Sequence, residues 1–109
     1  MLQFNVQRVY FDAIKAGTKT IEGRLAKQKY LDLRPGDSVV FFDNEHTESV
    51  AKTVAAVHLY PTFEAAFKKQ DFRKAIPSAK TVKEAIAVYE QFYTPQMQEQ
   101  EGVVFIELR

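Results

Sequence analysis

Three charged residues, Lys19, Glu22 and Arg24, lie close together in the stretch GTKTIEGR. A guanidinium presents planar, paired donors to a phosphate or a base edge, and an ammonium adds a compact positive charge. A carboxylate accepts from an exocyclic amine or a ring N–H. These residue types therefore favour binding of a phosphate-bearing or base-like ligand. The alternative is a plain Glu22–Arg24 ion pair, which contributes about 0–1 kcal/mol when exposed.

The charged stretch is predicted to be a β-strand over residues 19–25. The period of two in a strand places Thr20, Glu22 and Arg24 on one face. Lys19 falls on the opposite face, at the start of the strand, where its long side chain can lean in from the edge. We therefore expect Glu22 and Arg24 to project side by side into a cleft.

The elements around this strand follow from turn and capping signals. Gly17 is suited to end a preceding helix, and Pro35-Gly36 is suited to a type II turn before the strand VVFF. A polar hairpin and a return strand come next. Thr62 can cap a first helix, and Thr81 with Glu84 forms a capping box for a second. The buried stripe predicted for this second helix is Val82, Ala85, Ile86, Tyr89 and Phe92 or Tyr93.

This order of elements, closed by the apolar strand GVVFIEL, predicts an α+β fold: a small mixed β-barrel with flanking helices. At 109 residues the chain is expected to form a single domain, residues 1–109. In a closed barrel this small, side chains fill the interior, so a ligand must bind between the barrel and its helices.

Composition narrows the class of protein. The chain has no cysteine, which gives no support to a disulfide framework or a Cys-ligated metal, and no motif for a cofactor is present. No apolar run approaches the length of about 18 residues that suggests a membrane span. The sequence therefore predicts a soluble, cytoplasmic protein that does not bind a membrane, and it identifies no protein partner.

The formal net charge is only +1, but charge is distributed unevenly along the chain. Residues 15–34 carry six Lys or Arg against two acids, and residues 68–83 carry six against one. Residues 35–67 and 84–109 are each net acidic. If the two basic segments share one face, they can attract a phosphate-bearing partner; otherwise they only solvate the surface.

The pattern Gly17-x-Lys19-x-x-Glu22-x-Arg24, after a helix and before LRPGDSVVFF, resembles the signature of the ASCH domain family. The resemblance extends over nearly the whole chain as an order of elements. It implies the PUA-like barrel fold, a cleft lined by Lys19, Glu22 and Arg24, and binding of RNA or a nucleotide-like ligand.

A second activity is implied by a branch of this family. Small bacterial ASCH-type proteins include amidohydrolases that deacetylate N4-acetylcytidine with a lysine, a threonine and a glutamate. Lys19 matches the lysine, whereas Glu22 occupies the threonine position and the segment before the last helix offers no acid. Thr20 is the substitute hydroxyl. Because Glu22 favours the charged form of Lys19, amide hydrolysis ranks below binding.

A small ribonuclease is the third possibility, with His46 or His58 as acid or base. His58 is more simply a hydrogen-bonded strand residue. His46 lies near three acidic residues in a hairpin, but their spacing matches no metal motif, so no metal site is predicted. Tyr89, Phe92 and Tyr93 are predicted to belong to the core, and Tyr93 is also a candidate to stack on a base.

Overall fold

The computed structural model describes all residues from Met1 to Arg109. The elements in chain order are β1 (Leu2–Val6), α1 (Arg8–Ala16), β2 (Ile21–Leu25), α2 (Gln28–Leu31), β3 (Ser38–Asp43), β4 (Ser49–Tyr60), α3 (Phe63–Phe67), α4 (Phe72–Ala75), α5 (Val82–Glu90), α6 (Pro95–Glu101) and β5 (Val103–Leu108).

The five strands form one curled sheet in the order β1-β3-β4-β5-β2. β1 runs parallel to β3, and every other neighbouring pair is antiparallel. The predicted α+β fold with a small mixed barrel is confirmed, but the sheet is a half-barrel rather than a closed one. Its two edge strands, β1 and β2, leave an open seam, and this seam positions the charged residues of β2.

Two apolar clusters cover the sheet. One contains Phe4, Phe11 and Ile14 from the first elements, and the other contains Phe63 from α3 and Tyr89 from α5. β5 contributes to both because successive side chains of a strand point to opposite faces. The alternating members are Val104, Ile106 and Leu108 in the first cluster, and Val103 and Phe105 in the second. The site-bearing strand β2 pairs with this doubly buried strand.

The turn and capping predictions hold. Gly17 ends α1 in the left-handed conformation with φ 85°, and Gly36 has φ 96°, as a type II turn requires. Thr62 and Thr81 cap α3 and α5 through hydrogen bonds to Ala65 N (3.0 Å) and Glu84 N (3.2 Å). The Glu84 carboxylate accepts from Lys80 N rather than from Thr81 N, so the capping box is shifted by one residue.

Two expectations about the elements are wrong, and three short helices are unpredicted. The strand begins at Ile21 rather than at residue 19, and the short helices α2, α4 and α6 were not predicted. Within the predicted stripe of the second helix, Val82 and Phe92 are 42% and 50% exposed. Phe92 lies beyond the end of α5 at Glu90, so the helical period no longer directs it inward.

Candidate functional site

A cleft of about 230 Å³ lies at the open seam, between β1, β2 and the end of α5. It combines charged, amide and aromatic side chains with a few aliphatic ones. The charged and amide groups are Lys19, Glu22, Arg24, Asn5, Gln7 and Asn44, and the aromatic groups are Tyr10, Tyr89, Phe92 and Tyr93. One end of the cleft is therefore polar, and the planar faces of aromatic rings line much of the rest.

Lys19 is the most deeply buried charge, with its side chain 2% exposed. Its ammonium donates to Ile21 O at 2.8 Å and to Ala75 O at 2.6 Å, and it lies 3.2 Å from Glu22 Oε1. Burial lowers the pKa of Lys19, and the Glu22 carboxylate opposes that fall. The two carbonyls accept hydrogen bonds and the carboxylate adds an ion pair, so these contacts stabilise the charged form, which has no lone pair to offer.

Glu22 joins Lys19 to Arg24. Its Oε2 accepts from Arg24 Nε at 2.9 Å and lies 2.7 Å from Arg24 Nη2, while its side chain is only 6% exposed. Burial would raise the pKa of Glu22, but the two cations beside it bring that pKa below its usual value. Lys19, Glu22 and Arg24 thus form a buried triad of charges that carries a net +1.

Arg24 connects the two edges of the half-barrel. Its Nη2 donates to Asn5 O on β1 at 3.2 Å, and its guanidinium lies 5.1 Å from the centre of the Phe4 ring. Burial would lower the pKa of Arg24, but Glu22 outweighs it and the pKa rises. The Nη1 nitrogen of Arg24 donates neither to Glu22 nor to Asn5 O. The side chain is 20% exposed, so the guanidinium is held firmly yet is accessible from the cleft.

Three tyrosines border the cleft and keep their hydroxyl protons at neutral pH. Burial raises the pKa of Tyr10 and Tyr93, and raises that of Tyr89 well above its usual value. The Tyr89 hydroxyl is enclosed and has no hydrogen-bond partner. The Gly23 backbone lies near enough to oppose the rise in the Tyr89 pKa, but no hydrogen bond of normal geometry forms. Each tyrosine is therefore a neutral potential donor.

The structure brings Lys19, Glu22, Arg24 and Tyr93 to one cleft. Thr20 does not line it, although the predicted alternation placed Thr20 with Glu22. The backbone of Thr20 instead bonds to Lys74 and Leu108. The predicted face assignment is wrong because regular alternation starts only at Ile21, so Lys19 approaches from the preceding turn.

The histidines lie outside the cleft. His58 contacts Glu107 across β4 and β5, as expected for a hydrogen-bonded strand residue. His46 has a positive φ of 56° in the hairpin and stacks on Phe42 at 4.7 Å. Its acidic neighbour Asp43 accepts from Thr47 and Glu48 N. No group of three or more His, Asp or Glu side chains is arranged to hold a metal ion.

Sequence reasoning missed several lining residues. Asn5, Gln7 and Asn44 lie in unremarkable polar positions, and no pattern marks them as neighbours of β2. Tyr10 belongs to the apolar stripe of α1, so its place in the sequence does not indicate that it lines a cleft. Gly23 gave a usable signal, because a glycine inside a strand often marks a close approach of another group.

Gly23 lets aromatic rings pack directly against β2. A Cβ atom there would lie 2.9 Å from Phe105 Cε1 and 3.0 Å from both Phe63 Cε1 and Tyr89 Cζ. Replacing it with alanine forces three packed rings to move. We expect Gly23→Ala to lower the free energy of unfolding by about 1–3 kcal/mol, as overpacking does. Urea unfolding measures the change, and an unchanged midpoint would contradict the packing described.

A curled half-barrel with a cleft at its seam defines this chain as a protein of the PUA-like class. The ASCH domain family model matches residues 4–109, and the chain belongs to that family. The fold of this family is often linked to RNA binding.

Solved structures agree with this assignment. The chain is similar to hypothetical protein PH0355, with 30% identity, a TM-score of 0.85, and coverage of 99% of this chain and 96% of that one. Protein PF0455 from Pyrococcus furiosus is 29% identical, with a TM-score of 0.75 and coverage of 99% and 94%. ASCH from Zymomonas mobilis shares the fold at 15% identity, with a TM-score of 0.69 and coverage of 98% and 65%.

No curated protein matches the chain. None of its helices has the length and apolar character needed to cross a membrane.

Proposed function

We propose that this protein binds short single-stranded RNA by seating one nucleotide in the cleft beside Arg24. The observation that carries the proposal is the Arg24 guanidinium, which Glu22 and Asn5 O hold in place while its Nη1 stays unused by either. A donor fixed in this way recognises a ligand without losing further side-chain freedom.

The dimensions of the cleft support a single nucleotide rather than a longer segment. Its volume of about 230 Å³ lies below the range of about 300–1,000 Å³ that is common for pockets of drug-sized ligands. Phe92 is half exposed, and Tyr93 is partly exposed beside it. Aromatic rings at such a rim provide surfaces on which unpaired bases stack.

Basic residues of both segments near β2 are available to the remainder of an RNA strand. Thr20 N donates to Lys74 O at 2.9 Å, so α4 of the second basic segment lies directly beside β2 of the first. Exposed lysines and arginines there can contact phosphates and release counterions. Binding should therefore weaken as salt rises, with a log–log slope of about −0.7 per phosphate contact.

We expect Arg24→Ala to weaken RNA binding more than any other single charge removal outside the buried Lys19–Glu22 pair. Fluorescence anisotropy with a labelled single-stranded RNA measures this, in a salt series that starts at low ionic strength. Arg24→Lys should also weaken binding, about tenfold, because an ammonium keeps the charge but loses the planar fork.

Arg34→Ala is the matched control, since it removes the same charge from an exposed turn outside the cleft. Unfolding curves for each variant check that it is folded under the conditions of the binding assay. Two results would overturn the proposal: no association of the parent protein at low salt, or parent-like binding by Arg24→Ala.

A further inference from the structure

A second groove lies between α3, α4 and α5, and it shares no lining residue with the cleft at the seam. Its volume is about 390 Å³. α5 borders both sites, because Val88 and Tyr89 line the cleft whereas Val82 and Ile86 line the groove. A nucleotide seated beside Arg24 therefore leaves this groove unoccupied.

The groove is lined by apolar side chains that are partly open to solvent. They are Phe67, Phe72, Val82 and Ile86. Phe67 is buried, Phe72 and Ile86 are half-buried, and Val82 is 42% exposed in the first turn of α5. Single exposed apolar residues are ordinary, but apolar groups gathered in one concave site are typical of a surface that another molecule covers.

Positive charge around the groove is not neutralised within the protein. Lys68 and Arg73 line the groove, and Lys83 follows Val82 in α5. Residues 68–83 carry six cations, of which only Arg73 contacts a carboxylate, that of Asp71 at 3.6 Å. The other five, all lysines, take part in no ion pair. Several surface cations elsewhere do pair with acids, namely Arg8, Lys15 and Lys27.

Two acids also line the groove, and they favour a peptide over a nucleic acid. Asp71 caps α4 by accepting from Arg73 N at 3.0 Å, and Glu64 lies in the first turn of α3. A nucleic-acid strand carries a negative charge on every phosphate, so these two carboxylates would repel it. A peptide can instead place its few carboxylates beside the lysines and its apolar side chains in the groove.

We propose that the groove between α3, α4 and α5 binds an acidic peptide segment of another protein. Apolar side chains of the segment fill the space beside Val82 and Ile86, and its carboxylates lie near Lys68, Arg73 and Lys83. Docking of an amphipathic segment into an apolar groove is a common mode of peptide recognition. Complementary charge at the rim speeds the encounter and selects the partner. This interaction does not depend on RNA binding.

The test uses a model peptide of roughly 15 residues, in which leucines recur at every third or fourth position among glutamates. NMR chemical shifts of the intact, isotope-labelled protein locate its binding. We expect the largest changes at backbone amides of α3, α4 and the first half of α5, and weaker binding as salt rises. Matched peptides with lysine for glutamate, or serine for leucine, should bind at least about tenfold more weakly.

Val82→Glu is the decisive variant. A carboxylate in the first turn of α5 interacts favourably with the helix, so the unfolding midpoint should not fall. Peptide binding should nevertheless fall about tenfold or more, because the new charge repels the glutamates. Val9→Glu is the matched control, since Val9 is 57% exposed in the first turn of α1 and lines neither the groove nor the cleft. It should bind the peptide as the parent does.

Four results would overturn the proposal. They are absence of peptide binding at about 1 mM, shift changes centred on the cleft, parent-like binding by Val82→Glu, and equal binding of the lysine peptide. Changes at the amides of Val82 and Ile86 caused by single-stranded RNA, or by raising the protein concentration alone, would assign the groove to RNA or to a second copy and would also overturn it. RNA binding that depends on Arg24 is measured separately, so either proposal can fail while the other stands.

Discussion

Glu22→Ala is expected to lower the free energy of unfolding by about 3–5 kcal/mol. The substitution leaves two cations, Lys19 and Arg24, without the carboxylate that both contact inside the protein. Breaking a buried ion pair by removing one partner has this magnitude, because the remaining charge stays desolvated. Urea unfolding at pH 7 measures it. Typical domains are stable by about 5–15 kcal/mol, so the variant will be marginally folded or unfolded.

Glu101→Ala is the control for this substitution. Glu101 pairs with Lys27 on the surface, and such exposed pairs contribute less than about 1 kcal/mol. A loss of less than 1 kcal/mol for Glu22→Ala would show that the three charges do not stabilise one another as described.

The pH dependence of stability offers a second measure of the same carboxylate. The folded-state pKa of Glu22 lies below its ordinary value of 4.5, because Lys19 and Arg24 outweigh the effect of burial. Its contribution is therefore complete above about pH 4.5 and is lost as the pH falls through the lower folded-state pKa. The difference in stability between the parent and Glu22→Ala should narrow over that acidic window.

We expect the parent protein to release no acetate from N4-acetylcytidine above the uncatalysed rate at neutral pH. Burial lowers the pKa of Lys19, but its hydrogen bonds to two carbonyls and its ion pair with Glu22 favour the ammonium form, which has no lone pair with which to attack or to take a proton. The resemblance to the amidohydrolases implies a threonine at the position of Glu22, and Thr20 does not line the cleft. Residues that act as a unit lose most of their effect when one is missing.

Chromatography of the reaction products, with Lys19→Ala as the control, tests this expectation. Turnover by the parent that disappears in Lys19→Ala would make the amidohydrolase interpretation correct. Glu22→Thr is informative as well, because it removes the carboxylate that favours the ammonium form. A rate gained by the folded fraction of Glu22→Thr would identify Glu22 as the residue that prevents hydrolysis by this chain.

Local rules predicted the parts of the fold that local chemistry determines. Gly17 ends α1 and Thr62 caps α3, because each depends on its own residue type and a few neighbours. The position of Lys19 was predicted less well, since it depends on where β2 starts. That start is fixed by backbone bonds from Thr20 to Lys74 and Leu108, which are remote in sequence.

The aromatic side of the cleft was also beyond sequence reasoning. Tyr89 reads as an ordinary core residue in a helical stripe, and its ring is indeed packed there. Its hydroxyl becomes notable only because Gly23, on a strand far away in sequence, lets the ring approach β2. The orientation of the Arg24 guanidinium likewise depends on Asn5 O, which is brought near by the curvature of the sheet.

The open seam has a consequence for assembly. Unpaired edge strands offer backbone donors and acceptors to other chains, and they can start strand exchange or aggregation. In this protein Arg24 of one edge already bonds to Asn5 O of the other, and charged side chains line the cleft between them. The residues proposed to recognise the ligand therefore also shield the two edges from intermolecular pairing, so substitutions that remove these charges should favour self-association.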